Sequence, residues 1–220
     1  QTLLQSDSLE YIHLAYIDLH DVVIKTLGKN FEAMQLTCLI NVPKALIKQF
    51  LLSESLEEIG FENVDFKNLK IENFGTKLNK IRLHYVRNIS NEMLIALFKH
   101  PVLQELQLYE EFDFRNEEIT QLGENLEEIS ILDPKNITKQ TIQAIFQSDS
   151  LERISLSGVD LQYFTFTKLG QNIKYINLDR ITNVPVPLIL KLVSSTSITV
   201  NLSEITIGVY YRKGKRKRVE

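Results

Sequence analysis

The feature that most constrains this chain is a short apolar pattern that returns along nearly its whole length. Leu-x-x-Ile-x-Leu, with apolar replacements, occurs at Leu9-Ile12-Leu14, Phe31-Met34-Leu36, Leu56-Ile59-Phe61, Leu78-Ile81-Leu83 and Leu103-Leu106-Leu108. It continues at Leu126-Ile129-Ile131, Leu151-Ile154-Leu156 and Ile173-Ile176-Leu178, and a weaker ninth copy ends in Val200 and Leu202. The first apolar positions of the eight clear copies lie 22, 25, 22, 25, 23, 25 and 22 residues apart, so the full unit is a pair 47 or 48 residues long. A fixed period of this size means one unit stacked repeatedly, each burying its apolar side on its neighbours. No linker or second domain interrupts it.

The two halves of the pair differ. In the first half an apolar residue and Asp follow the motif, as Ile17-Asp18-Leu19, Val64-Asp65-Phe66, Phe112-Asp113-Phe114 and Val159-Asp160-Leu161, and a Gly follows ten residues later (Gly28, Gly75, Gly123, Gly170). In the second half the motif is followed by Asn41-Val42-Pro43, Asn88-Ile89-Ser90, Asn136-Ile137-Thr138 and Asn183-Val184-Pro185. Alternation within Ile-x-Leu predicts a short strand with one face buried. Ser90 and Thr138 are placed to cap helices, Pro43 and Pro185 suit a first helical turn, and the apolar spacing of Met93, Leu94, Leu97 and Phe98 is helical. In the first half Asp is expected to cap a shorter helical or 3₁₀ turn, and Gly to end it in the left-handed conformation.

These residues resemble leucine-rich-repeat proteins. The second-half units are most similar to ribonuclease-inhibitor-like and F-box-type repeats, whose helix begins Ile-Thr-x-x-x-Ile, as in residues 136–146. The resemblance covers about residues 1–203 and implies an α/β leucine-rich-repeat solenoid of about nine turns in alternating 22/25-residue pairs, with a curved parallel sheet inside and helices and 3₁₀ turns outside. Where the family usually carries Asn or Cys after the strand, this chain has Ile17, Leu39, Val64, Val86, Val159 and Ile181. Residues 2–12 repeat residues 144–154, so the chain is expected to start inside a repeat and to be the C-terminal part of a longer protein. Residues 204–211, with Ile205, Ile207 and Val209 alternating, are expected to form a closing strand or cap, and 212–220 a basic disordered tail.

Side chains between the apolar anchors are expected on the concave face, in columns across strands spaced about 4.8 Å apart. Lys80, Arg82, His84 and Tyr85 form a basic, aromatic-tipped patch there, flanked by Glu58 and Glu62 on one side and Glu105 and Tyr109 on the other. Tyr11, His13, Arg153 and Tyr175 complete the candidate protein-binding face. Tyr and Arg dominate recognition hot spots; the competing reading of the same residues is a ladder of cross-strand ion pairs.

Composition narrows the function classes. With 44% hydrophobic and 24% charged residues among 220, the chain is expected to fold. No apolar run is long enough to span a bilayer, no secretion signal opens the sequence, and the single Cys38 points to a reducing compartment. The net charge of −3 conceals a split: without residues 212–220 there are 19 basic against 27 acidic residues, a balance of −8. Nucleic acid is therefore expected to meet only the tail, whose Arg212, Lys213, Lys215, Arg216, Lys217 and Arg218 read as a nuclear-import signal, an anion-binding patch or a solubilising end. His13, His20, His84 and His100 lack metal-ligand spacing, Glu57-Glu58 and Glu110-Glu111 read as solvated charges, and neither a catalytic site nor a cofactor is expected.

The expectation is thus a non-catalytic protein-interaction module. The resemblance implies the substrate-recognition part of an F-box/leucine-rich-repeat ubiquitin ligase receptor, intracellular and nuclear, with a protein partner on the concave face and an import receptor at the tail. The alternatives are a structural scaffold subunit, a pathogen effector with host-like repeats, or a regulator of an enzyme such as a GTPase acting through Arg82, Arg87 or Arg180.

Overall fold

The structure is a computed structural model that describes residues 3–39, 41–110, 112–162 and 164–208. After a 3₁₀ turn at Leu3–Gln5 the elements run β1 (Tyr11–Ala15), β2 (Ala33–Thr37), α1 (Lys44–Leu51), β3 (Glu58–Glu62), β4 (Lys80–His84), α2 (Asn91–Lys99), β5 (Glu105–Tyr109) and β6 (Glu128–Leu132). There follow α3 (Lys139–Gln147), β7 (Arg153–Ser157), β8 (Tyr175–Asp179), β9 (Val184–Pro185), α4 (Val186–Ser194), β10 (Thr199–Ser203) and β11 (Ile207–Gly208). Nine of these strands, β1 to β8 and then β10, form one open parallel sheet in chain order. With the four helices it makes an α/β arrangement compatible with a solenoid. β11 pairs with β9, away from the edge of the large sheet.

The apolar anchors make this sheet. In β5 the pattern leaves Leu106 and Leu108 fully buried and Glu105, Gln107 and Tyr109 half-exposed. The helices lay Leu46, Ile47, Phe50 and Leu51, or Met93, Leu94, Leu97 and Phe98, on the same core. Two caps form as the spacing predicts: Met93 N donates to Ser90 Oγ at 3.2 Å, and Thr141 N to Thr138 Oγ1 at 3.1 Å. Pro43 and Pro185 stand elsewhere than expected, at the extended N-cap position, and the proline inside the first turn of α4 is Pro187.

Two further expectations are corrected. Among the described residues no 3₁₀ helix forms after Asp18, Asp65, Asp113 or Asp160; a single turn closes there, with Val22 N donating to Leu19 O, Leu69 N to Phe66 O, Glu117 N to Phe114 O and Phe164 N to Leu161 O at 2.8–2.9 Å. Each carboxylate instead accepts the backbone N–H two residues on, at 2.8–3.0 Å, and the chain continues without a helix to the Gly. Two or three residues shorter than its partner, this half has none to spend on helix at about 1.5 Å per residue when extended chain covers about 3.3 Å. The four repeat glycines, for their part, are not left-handed. Each lies against the chain that leaves the preceding helix or 3₁₀ turn: an added Cβ would sit 2.1, 1.9, 2.5 and 1.8 Å from the carbonyl oxygens of Ser6, Ser53, His100 and Ser148. Their N–H groups donate to Leu4, Leu51, Phe98 and Phe146 O at 2.7–2.9 Å, satisfying carbonyls that the end of a helix leaves open.

Positive φ appears where the sequence announced nothing. The residue after every strand of the large sheet (Tyr16, Cys38, Asn63, Tyr85, Glu110, Asp133, Gly158, Arg180 and Glu204) has φ between 47° and 68°. From Tyr16 to Arg180, its N–H donates to the carbonyl of the last residue of the next strand at 2.8–3.3 Å. That bond holds non-glycine residues in a conformation that costs them about 1–2 kcal/mol.

His100 is a local exception. Where the other units end a helix with Ser-x-Ser, such as Ser53-Glu54-Ser55 or Ser148-Asp149-Ser150, this unit has His100-Pro101-Val102. His100 is buried against Phe74 and its Nε2 has no partner. Burial holds its pKa below the ordinary 6.5, against hydrogen bonding of the ring to the backbone of Gly75 and Leu78 that pulls it up. The unfolded chain therefore takes this proton first, and stability is expected to fall as pH drops below 6.5, well before the aspartates titrate. His100→Ser should flatten urea-midpoint curves between pH 7.5 and pH 5.5; an unchanged slope would assign the loss to another group.

Candidate functional site

The register places the expected columns side by side. Tyr11 faces Ala33, Ala33 faces Glu58, and the row continues through Lys80, Glu105, Glu128, Arg153 and Tyr175. Two residues along, His13, Gln35, Gly60, Arg82 and Gln107 align in the same way.

Within these columns the basic patch is charge-compensated. Lys80 Nζ lies 2.6 Å from Glu105 Oε2 and 4.0 Å from Glu58 Oε2, while Arg82 pairs with Glu58 Oε1 and stands 3.6 Å from Glu105 Oε1. Two cations thus alternate with two carboxylates across three strands. Only 15% of the Glu105 side chain is exposed, and Gln107 Nε2 also donates to it at 2.5 Å. Pairs of this kind contribute about 0.2–1 kcal/mol each, so Lys80 and Arg82 hold the face together more than they offer free charge. Arg153 pairs with Glu128 at 3.0 Å, and His13 Nε2 lies 3.1 Å from Thr37 Oγ1.

The aromatic tip is the open part. Tyr85 stacks on His84 with ring centroids 4.8 Å apart and stays 47% exposed, and Tyr109 meets His84 edge-on at 5.8 Å. Tyr11 and, past β1, Tyr16 are more exposed, at 57% and 77%. His84 Nδ1 stands 4.0 Å from Glu62 and its Nε2 3.4 Å from Glu110 Oε1. Glu110, read from the sequence as a solvated charge, is therefore tied to this cluster, and its Oε2 is buried without a partner.

Two networks escaped the sequence reading. Arg180 reaches Asp133 Oδ2 at 3.0 Å, Ser157 Oγ at 2.9 Å and Asp179 Oδ2 at 3.2 Å. The missing side chain of Gly158 makes room: a Cβ there would lie 2.0 Å from Asp133 Oδ1. The hydrogen bonds to Asp133 and Asp179 raise the Arg180 pKa. The second network joins features that read as unrelated. Asn41, Asn88, Asn136 and Asn183, all at positive φ, donate Nδ2 to Asp18, Asp65, Asp113 and Asp160 at 2.8–3.1 Å. Each Asn thereby clasps its own half-unit to the preceding one, and isolated parallel bridges such as Asp65–Arg87 lie beside the clasps. The Asn88 amide holds the Asp65 carboxyl below its ordinary 3.8, against a smaller upward push from burial.

Among the described residues no group of His, Cys, Asp and Glu is arranged to hold a metal ion, and no helix is long and apolar enough to cross a membrane. Cys38, half-buried, directly follows β2 in the left-handed conformation. Arg212, Lys213, Lys215, Arg216, Lys217 and Arg218 lie outside the described residues. Comparison with protein-family models, curated proteins and solved structures found no match.

Proposed function

We propose that the chain is a non-catalytic protein-binding module of leucine-rich-repeat type, holding a protein partner on the open face of its parallel sheet. The observation that carries this reading is the in-register alignment of polar, charged and aromatic side chains on strands whose alternate residues are locked into the core. Nine strands at about 4.8 Å spacing present a face about 40 Å long, long enough for the roughly 800 Å² per side of an ordinary interface. Anchoring falls to Tyr11 and Tyr85, which are exposed, Tyr85 being backed by the His84 ring, while the Glu58, Lys80, Arg82 and Glu105 ladder fixes the floor beneath. A narrower form, a nuclear substrate receptor of an F-box-type ubiquitin ligase, is supported by the resemblance of residues 136–146 and by the basic run at 212–218.

Affinity capture tests the reading. Tyr11→Ser combined with Tyr85→Ser leaves the ladder intact and should lower partner recovery about tenfold or more. Lys48→Ala, on the exposed side of α1, should leave recovery unchanged. Equal recovery by the tyrosine variant would remove the open face from the proposal.

A further inference from the structure

Beside the ladder, past the ends of β4 and β5, the surface opens into a cleft of about 440 Å³ walled by Tyr85, Arg87, Glu110, Asp113, Arg115 and Lys135. The volume is within the range of sites that hold small groups. Its cations are set on fixed backbone. Arg87 N donates to Val64 O at 3.1 Å and its carbonyl accepts from Phe66 N at 2.8 Å; Lys135 is held in the same way between Phe112 and Phe114. Arg115 N is pinned on Asp113 Oδ1 at 2.8 Å.

The two guanidinium groups are unspent. The arginine ion pairs among the described residues are made by Arg82, Arg153 and Arg180, and Arg87 and Arg115 make none. They act on Asp65 and Asp113 only through space, and those carboxylates are already hydrogen-bonded to Asn88 and Asn136. A planar guanidinium without a partner is suited to an oxyanion taken two-pronged. Tyr85 forms the border between this cleft and the open face, since its ring both lines the cleft and stacks on His84.

We infer that the cleft receives one acidic side chain, a phosphate monoester or a carboxylate, of a peptide bound along the face, with Arg87 and Arg115 as its clamp. The inference rests on the open-face reading for the path of the peptide, and adds the chemistry of one residue in it. A nucleic acid fits less well. Glu110 and Asp113 share the same walls and the body outside the tail carries a balance of −8, so a polyanion is repelled where a single oxyanion is tolerated.

The test uses the full chain and three degenerate peptide libraries fixed at their centre as phosphoserine, glutamate or serine, with oligouridylate as a fourth probe. Retention of the phosphoserine and glutamate libraries should exceed that of the serine library about tenfold, the scale of one charge-assisted contact. Arg87→Gln with Arg115→Gln should bring all three to the serine level without moving the thermal midpoint, because backbone groups hold these loops. If that variant unfolds, Arg87→Lys with Arg115→Lys keeps the charge and removes the fork, and should reduce the phosphoserine preference severalfold. Equal retention of the three libraries, unchanged discrimination in the variant that folds, or tighter binding of oligouridylate would each overturn the inference. Equal retention that still disappears in the Tyr11→Ser, Tyr85→Ser variant would overturn the cleft alone and leave the open face standing.

Discussion

Gly75→Ala is expected to destabilise the protein by about 2–4 kcal/mol, the scale of overpacking combined with a lost hydrogen bond. The added Cβ would stand 1.9 Å from Ser53 O, a backbone atom in the turn that ends α1, so no side-chain rotation relieves the contact. Moving the chain back would lengthen the bond from Gly75 N to Leu51 O, now 2.8 Å, and uncover a carbonyl at the end of the helix. The sign makes the experiment decisive. At an unhindered position with ordinary φ, Gly→Ala stabilises by about 0.4–1 kcal/mol through the unfolded chain. Urea unfolding of Gly75→Ala and of Gly170→Ala, where Ser148 O would be 1.8 Å away, should show lower midpoints in both. A midpoint that holds or rises would show that the glycine marks a chain reversal and not a contact.

Asn88→Ala should cost about 2–3 kcal/mol, and Asn88→Gly about 1 kcal/mol, because the side chain has two separable roles. Its Nδ2 donates to Asp65 Oδ1 at 2.8 Å, an exposed charge-assisted bond whose net contribution is about 1 kcal/mol after allowance for solvent. Its backbone sits at φ 59°, which Asn and Gly tolerate and Ala resists by about 1–2 kcal/mol. Acid unfolding gives a second readout. The Asp65 pKa is lowered in the folded state, so the clasp contributes stability that is fully present above the ordinary 3.8 and is lost as pH falls through the folded value. Both variants should unfold with less steepness in that window than the wild type. Equal costs for Ala and Gly would leave the clasp as the whole effect and the left-handed backbone as no burden.

Some of this architecture was legible before any coordinates. Leu106 and Leu108 in β5, or Met93, Leu94, Leu97 and Phe98 in α2, carry the periods of a half-buried strand and of a helix face, and both became those elements. Such periods are properties of neighbouring residues, so a linear reading captures them. The candidate face was legible as a set of residues with two readings. Lys80 and Arg82, flanked by Glu58 and Glu105, read either as a recognition patch or as an ion-pair ladder, and only the distances set the pairing. Glu110 read as solvent-facing until His84 was placed 3.4 Å from it.

By itself the sequence determined the alternating unit, the strand positions, the helix starts at Ser90 and Thr138, and the existence of a polar face opposite the buried anchors. Tertiary structure alone decided that the repeat glycines serve close approach, that Asn and Asp of successive half-units clasp one another, and that every strand of the large sheet ends on a left-handed residue. The physical reason is distance along the chain. Strand and helix arise from contacts a few residues apart, whereas each of these features depends on atoms a whole turn away, brought within bonding range only when the stack is formed.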